Sequence, residues 1–132
     1  MPLYQDSIID VKKAETIDDF KIFNNICFDK TLSSENLINL YRKDMIRCYI
    51  GYNSEKPVSV TMVLKNKNIH YLEMTSTIPE YRKMGFATIV CQTAIKDSFK
   101  EEAELVTIRA GGGPAADDGS KNLGKKLGFK YI

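Results

Sequence analysis

The sequence has 132 residues, of which 43% are hydrophobic and 27% are charged, values that exclude a disordered, collagen-like or disulfide-scaffold chain. Its 19 Lys and Arg residues nearly balance 17 Asp and Glu residues, and the net charge of +2 argues against a nucleic-acid-binding protein. No apolar run approaches the roughly 18 residues that a membrane-spanning helix needs. We therefore expect residues 1–132 to form one domain with no nucleic-acid or membrane partner.

The first residues and the cysteines indicate where the protein works. The N-terminus lacks the basic head, apolar core and cleavage site of a secretory signal peptide. Cys27, Cys48 and Cys91 are far apart, and His70 is the only histidine, so neither a metal site nor a histidine-activated nucleophile is predicted. Each cysteine stands in an apolar stretch and reads as a small core residue. Free thiols of this kind predict a cytoplasmic protein.

The N-terminal part predicts one strand followed by two helices. Residues 7–13 read as the strand. Thr16 is expected to cap a helix that begins at Ile17, because apolar residues then recur at helical spacing. A second helix is expected to be capped by Ser33 or Ser34.

The middle of the chain changes to an alternation of apolar and polar residues. This period of two, interrupted by short polar turns, is typical of strands in an antiparallel meander. The predicted strands are 46–52, 58–64 and 69–77.

The C-terminal part predicts a strand–helix–strand unit and then a second helix. With the earlier elements it indicates an α/β fold: a mixed, mostly antiparallel sheet with helices on both faces. The predicted elements are a loop at 79–85, a helix at 86–100, a strand at 104–110, a glycine-rich loop at 111–114, a helix at 117–127 and a last strand that begins at 129.

The stretch from Arg82 to Ala87 lies between a predicted strand and a predicted helix. A helix start offers backbone N–H groups and the positive end of the helix dipole, so it can hold a phosphate. Gly85 lets a ligand come close to the backbone, and Arg82 and Lys83 add positive charge. The alternative is an ordinary helix start with a basic flank.

Residues 78–87, Ile-Pro-Glu-Tyr-Arg-Lys-Met-Gly-Phe-Ala, resemble motif A of the GNAT superfamily of N-acetyltransferases. The stretch from Asp117 to Phe129, ending in Leu-Gly-Phe, is similar to motif B of the same superfamily. The order of predicted elements also matches from residue 7 to the end. The resemblance implies a sheet that splays open beside the motif A strand. Acetyl-CoA would lie in that opening, with its pyrophosphate on the loop and helix start.

The resemblance also implies which residues bind the co-substrate. The end of the fourth strand would pair with the pantetheine amides as a neighbouring strand does. Asp117 stands where the superfamily often has an Asn, and an ionised Asp accepts hydrogen bonds without donating them. The implied acetyl-CoA-binding residues are Thr75, Ser76, Thr77, Arg82, Lys83, Met84, Gly85, Phe86, Ala87, Thr88 and Asp117.

Glu73 is the candidate catalytic base, since some relatives hold a base at this strand position and an amine must lose a proton to attack a thioester. Strict alternation places Glu73 on the face of Thr75 and Thr77, opposite Leu72 and Met74. The alternative is a carboxylate on a solvated sheet face. His70 falls on the other face and is expected to be a packed or surface residue.

Two features depart from the superfamily. Gly124 stands where motif B usually has a Tyr whose hydroxyl can protonate the leaving thiolate, and Tyr71 or Tyr131 are the substitutes within the chain. Only four residues follow Gly128, so the C-terminal strands are predicted to be truncated. An uncovered sheet edge would favour a homodimer, and the alternative is a fragment of a longer chain.

The stretch from Gly113 to Lys121 is a poor match to a phosphate-binding Walker A loop, because the glycine spacing and the lysine position are wrong.

Two functions stay open. The first is an acetyl-CoA-dependent N-acetyltransferase that acts on a small-molecule or peptide amine. The second is a catalytically degenerate relative that binds CoA or a protein partner without transfer.

Overall fold

The computed structural model describes residues 9–108 and residue 127. Within them, five strands form one sheet in which each strand lies beside the next in the sequence. The first four strands are antiparallel, and the fifth runs parallel to the fourth after a helical crossover. The strands are β1 (Ile9–Lys13), β2 (Ile46–Asn53), β3 (Lys56–Asn66), β4 (Ile69–Thr77) and β5 (Leu105–Ile108). The helices are α1 (Ile17–Ile26), α2 (Ser34–Arg42) and α3 (Phe86–Lys100).

The helices begin where the sequence predicts. Thr16 accepts a hydrogen bond from the backbone N–H of Asp19, whose carboxylate accepts one from the backbone N–H of Thr16. This capping box fixes the start of α1. Ser33, rather than Ser34, caps α2 through the backbone N–H of Asn36.

The sheet buries a separate apolar cluster on each face, which confirms the predicted mixed sheet with helices on both sides. The first cluster joins α1 and α2 to one face, here called the α1/α2 face, with Phe20, Phe23 and Leu37 at its centre. The second joins α3 to the other face, here called the α3 face, through Val90 and Ala94. All three cysteines are buried free thiols, as expected.

Strand β4 contains a bulge that the sequence pattern does not reveal. Val60 lies opposite Ser76 and Met62 lies opposite Glu73, so residues 74 and 75 together face Thr61. Met74 takes a left-handed backbone conformation, with φ of 56°. An extra residue of this kind breaks the alternation of side chains along a strand.

The bulge overturns the predicted face of Glu73. Leu72 packs in the cluster below α3, whereas Met74 packs against the cluster below α1 and α2. Because directly opposed residues share a face, Glu73 lies with Met62 on the α1/α2 face. Its predicted place beside Thr75 and Thr77, opposite Met74, is therefore wrong.

Several predicted elements lie outside the described residues. They include the glycine-rich loop, the helix at 117–127 apart from Leu127, the last strand and the proposed truncated edge. Among the described residues, no helix is long and apolar enough to cross a membrane.

Candidate functional site

The segment between β4 and α3 is held by aromatic packing. Residues Pro79–Tyr81 form a single 3₁₀ turn. The ring of Tyr81 packs edge-on against Phe86, with centroids 5.5 Å apart, and the ammonium of Lys56 lies 5.3 Å from the centroid of Tyr81. These contacts fix the path of the chain into α3.

Two left-handed residues shape the start of α3. Lys83 has φ of 64°, and Gly85, which precedes the first helical residue, has φ of 91°. Glycine takes the second conformation without steric cost, whereas a side chain there would be strained. Successive backbone N–H groups in such a turn form a concave surface suited to anions.

The start of α3 differs from those of the other two helices. Helices α1 and α2 each have a capping side chain and an acidic residue in the first turn. Helix α3 has neither, since Gly85 supplies no capping group. The first intrahelical bond runs from the N–H of Ile89 to the carbonyl of Gly85, and helix geometry leaves the N–H groups of Ala87 and Thr88 without intrahelical acceptors. The positive end of this helix is thus suited to an external anion.

Arg82 connects this helix start to the strand before it. Its Nε donates a hydrogen bond to the backbone carbonyl of Thr77, at 2.9 Å. The side chain is otherwise exposed, as is that of Lys83. Two cations and a helix dipole therefore act on the same small region.

Hydroxyl pairs join the end of β4 to β3 on the α3 face. Thr77 pairs with Ser59 at 2.8 Å, and Thr75 pairs with Thr61 at 2.8 Å. Thr75 also contacts the Sγ of Cys91 at 3.6 Å. Burial raises the pKa of the Cys91 thiol, so the sulfur stays protonated. The hydroxyl groups of Thr75 and Thr77 thus make hydrogen bonds within the protein.

The last residues of β4, Met74 to Thr77, have a strand partner on one side only among the described residues. Strand β5 (Leu105–Ile108) pairs with Ile69–Leu72. Within the described part of the chain, no strand pairs with positions 74–77 on the side of β5. An extended ligand placed there would complete the hydrogen bonding of the strand, in the manner of β-augmentation.

Glu73 directly precedes these residues and lies on the α1/α2 face. Tyr71 is opposite Leu64, which packs against the first cluster, so Tyr71 shares the face of Glu73. The structure thus separates Glu73 from the Thr75 and Thr77 side chains, although all three remain at one end of β4.

His70 is buried on the α3 face, as predicted, and is separated from Glu73 by the sheet. Its Nδ1 has no hydrogen-bond partner among the described residues. Burial lowers the pKa of this imidazole, so it is neutral at pH 7. His70 is therefore a core residue.

The remaining predicted positions lie outside the described residues: Asp117, Gly124 and Tyr131. Within the described part of the chain, no group of His, Cys, Asp and Glu residues is arranged to hold a metal ion. Sequence reasoning located the helix start and missed the bulge at Met74, because Met74 is not a glycine and no residue type there indicates an irregular strand.

Comparison with known proteins finds a match to one family model. Residues 13–129 match the family model of the acetyltransferase (GNAT) family. No sequence among the curated proteins matches this chain.

Solved structures with similar folds include three acetyltransferases. The aminoglycoside acetyltransferase AAC(6')-Iy, in complex with a bisubstrate analogue built on CoA, has a TM-score of 0.78 and 11% identity, and the match covers 95% of this chain and 92% of that one. An acetyltransferase from an uncultured soil sample, in complex with sisomicin, has a TM-score of 0.74 and 11% identity, with 94% and 95% covered. A predicted acetyltransferase with acetyl-CoA from Clostridium acetobutylicum has a TM-score of 0.72 and 12% identity, with 95% and 92% covered. These likenesses show a shared fold.

Proposed function

Because this chain belongs to the acetyltransferase (GNAT) family, we propose that it is an N-acetyltransferase that moves an acetyl group from acetyl-CoA to a primary amine. The observation that carries this proposal is a helix start without a cap or an acidic residue, next to positions 74–77 of β4, which no described strand pairs on the side of β5. An extended chain that ends in a pyrophosphate fits this pair of features. Neighbouring structures that contain CoA or acetyl-CoA support the choice of co-substrate.

The pyrophosphate would be held by backbone N–H groups of residues 83–88 and by the charge of Arg82. Gly85 allows the phosphate oxygens to reach the backbone because it has no side chain. The pantetheine amides would pair with the backbone of Thr75, Ser76 and Thr77. This orientation brings the thioester toward the bulge, close to Glu73.

Glu73 is proposed as the base, acting directly or through one water molecule. The lone pair of the neutral amine attacks the carbonyl carbon of the thioester, the C–N bond forms and the C–S bond breaks. The proton of the amine passes to Glu73, and the CoA thiolate leaves and takes up a proton. Because Gly124 has no hydroxyl, that proton must come from water or from another group, and Tyr71 is a candidate because it shares the face of Glu73.

A second function is favoured by the same Gly124. Without the usual motif B tyrosine, the chain would bind CoA or a protein partner and transfer nothing. Loss of a general acid typically costs about 10²- to 10⁴-fold in rate, which is enough to separate the two functions experimentally.

The experiment is a set of primary amines incubated with the protein and acetyl-CoA, with thiol release and product mass both measured. Transfer predicts one free thiol for each amine that gains an acetyl group. Calorimetric binding of acetyl-CoA without acetylation of any amine would favour the degenerate relative. Absence of both binding and transfer would reject the proposal.

A further inference from the structure

Cys27 and Phe28, which follow α1, contact the bulged part of β4. Buried Cys27, the residue that ends α1, points its Sγ at the carbonyl of Met74, 4.0 Å away. The backbone N–H of Phe28 donates a hydrogen bond to the Oγ of Ser76, at 3.1 Å. The backbone around Phe28 is thereby fixed on the α1/α2 face of the strand end.

The ring of Phe28 is left in solvent by this arrangement. It is 73% exposed, the largest value among the large apolar side chains of the described residues. Phe20 and Phe23 on the preceding helix are fully buried, so this part of the chain has an apolar core that excludes Phe28. An exposed aromatic ring on an anchored backbone offers a contact surface for an apolar group.

The backbone of Phe28 and the side chain of Glu73 lie on the same face of β4. Because of the bulge, Glu73 and Ser76 lie opposite Met62 and Val60, which are two residues apart on β3, a distance of about 7 Å at roughly 3.3 Å per residue. Ser76 holds Phe28, and Glu73 lies opposite Met62 on the same face. A molecule of a few carbon atoms spans the distance between Glu73 and the serine that holds Phe28.

Charges near Phe28 do not favour a polycation. Asp29 and Lys30 follow directly and cancel each other in net charge. The ammonium of Lys30 donates to the backbone carbonyls of Asn24 and Asn25 at the end of α1. The carboxylate of Asp29 accepts a bond from the N–H of Thr31, at 2.9 Å. An aminosugar with several ammonium groups would need several carboxylates, whereas residues 28–31 offer only that of Asp29.

Building on the proposed function, we infer that Phe28 is a specificity-determining residue. The acceptor is a singly charged primary amine that carries an apolar group a few carbons from its nitrogen. The nitrogen lies at Glu73 and the apolar group packs on the Phe28 ring. The chain differs in this from neighbours described as aminoglycoside acetyltransferases.

The test compares 2-phenylethylamine, ethylamine and sisomicin as acceptors. We expect the wild-type protein to show a KM for 2-phenylethylamine at least about tenfold below that for ethylamine, and to acetylate sisomicin poorly. Phe28→Ala should raise the KM for 2-phenylethylamine about tenfold, with the kcat and the acetyl-CoA affinity within about twofold of wild type. The same variant should leave the ethylamine kinetics unchanged. Phe99→Ala, which removes another exposed ring at the far end of α3, is the matched control and should change nothing.

The outcomes separate the two proposals. If Phe28→Ala changes the KM for 2-phenylethylamine and the KM for ethylamine by the same factor, the specificity inference is wrong, although the transferase function stands. The same holds if the wild-type protein acetylates sisomicin better than 2-phenylethylamine. If no amine is acetylated although acetyl-CoA binds, the transferase function fails and the inference fails with it.

Discussion

The Nε of Arg82 lies 2.9 Å from the backbone carbonyl of Thr77, which ties the loop before α3 to the last residue of β4. This bond links the two parts of the proposed acetyl-CoA site, namely the backbone at the end of β4 and the start of α3. The guanidinium also keeps a positive charge next to the first turn of α3.

Removing this link should weaken co-substrate binding. Arg82→Ala loses both the bond and the charge, and we expect the Kd for acetyl-CoA to rise about fivefold, equivalent to about 1 kcal/mol. Lys96→Ala, which removes an exposed cation from the side of the same helix, should stay within about twofold of wild type. Equal effects of the two variants in calorimetry would mean that Arg82 acts only through net charge.

Glu73→Gln tests the base. The amide is close to the carboxylate in size but cannot take up the proton, so the rate of transfer should fall by about 10²-fold or more at neutral pH. Acetyl-CoA affinity should hardly change, since the side chain does not contact the pyrophosphate region in the proposed arrangement. Glu55→Gln, at an exposed turn between β2 and β3, controls for loss of one carboxylate. A Glu73→Gln protein with wild-type rates across a pH series would make Glu73 a surface carboxylate.

The α3 face depends on a close approach between Gly51 and Val90. A Cβ added at Gly51 would lie 2.5 Å from the Cγ2 of Val90, closer than any relaxed contact allows. The β-branched Val90 cannot swing away easily. Gly51→Ala should therefore lower the free energy of unfolding by about 1 to 3 kcal/mol.

A double-variant cycle shows whether the clash is the cause. Val90→Ala removes the opposing methyl groups, so Gly51→Ala should cost less in the Val90→Ala background than in the wild type. Denaturant unfolding of the four proteins measures both values. Strict additivity would contradict the proposed steric conflict.

His70 should make the protein sensitive to mild acid. Burial lowers the pKa of its imidazole, and the positive charges of Lys65 and Arg47 lower it further, while Glu101 and Asp44 act in the opposite sense. Because the unfolded chain has the ordinary histidine pKa of about 6.5, unfolding takes up a proton below that pH. The stabilisation is present above pH 6.5 and is lost as the pH falls toward the pKa of the folded state.

The sole histidine makes this effect easy to isolate. The difference in unfolding free energy between the wild type and His70→Phe should shift against the wild type as the pH is lowered below about 6.5. Urea titrations at several pH values measure it. A difference that is constant over pH 5 to 8 would show that His70 does not carry the acid sensitivity.

The helix caps and the helix of motif A could be predicted because the residues that define them are close together in the sequence. Thr16 and Asp19 form a capping box from residues three apart, and Phe86–Lys100 has the predicted bounds. The bulge at Met74 could not be predicted, because it depends on how β4 registers with β3 rather than on residue type. A single inserted residue moved Glu73 to the opposite face from Thr75, which strict alternation cannot anticipate.

The positions of Arg82 and Phe28 also depend on tertiary contacts. The bond to Thr77 and the bond to Ser76 each join residues whose sequence gives no sign of pairing. By contrast, Gly85 was identified from the sequence as the residue that permits close approach, and its φ of 91° agrees with that role. The sequence therefore predicts the backbone conformation at the start of α3, but it does not predict the face of the sheet on which each β4 side chain lies.

Acetyl-CoA titrated into an Ala87→Glu variant by calorimetry tests the central claim most directly. Ala87 lies in the first turn of α3, where a glutamate stabilises a helix by about 0.3 to 1 kcal/mol but repels a pyrophosphate at the same N–H groups. The account predicts a melting temperature equal to or above that of wild type, together with acetyl-CoA affinity at least about tenfold weaker. Gln92→Glu, which adds the same charge further along the helix, should bind acetyl-CoA nearly as wild type does. Unchanged affinity in a folded Ala87→Glu protein would contradict binding of acetyl-CoA at this helix start.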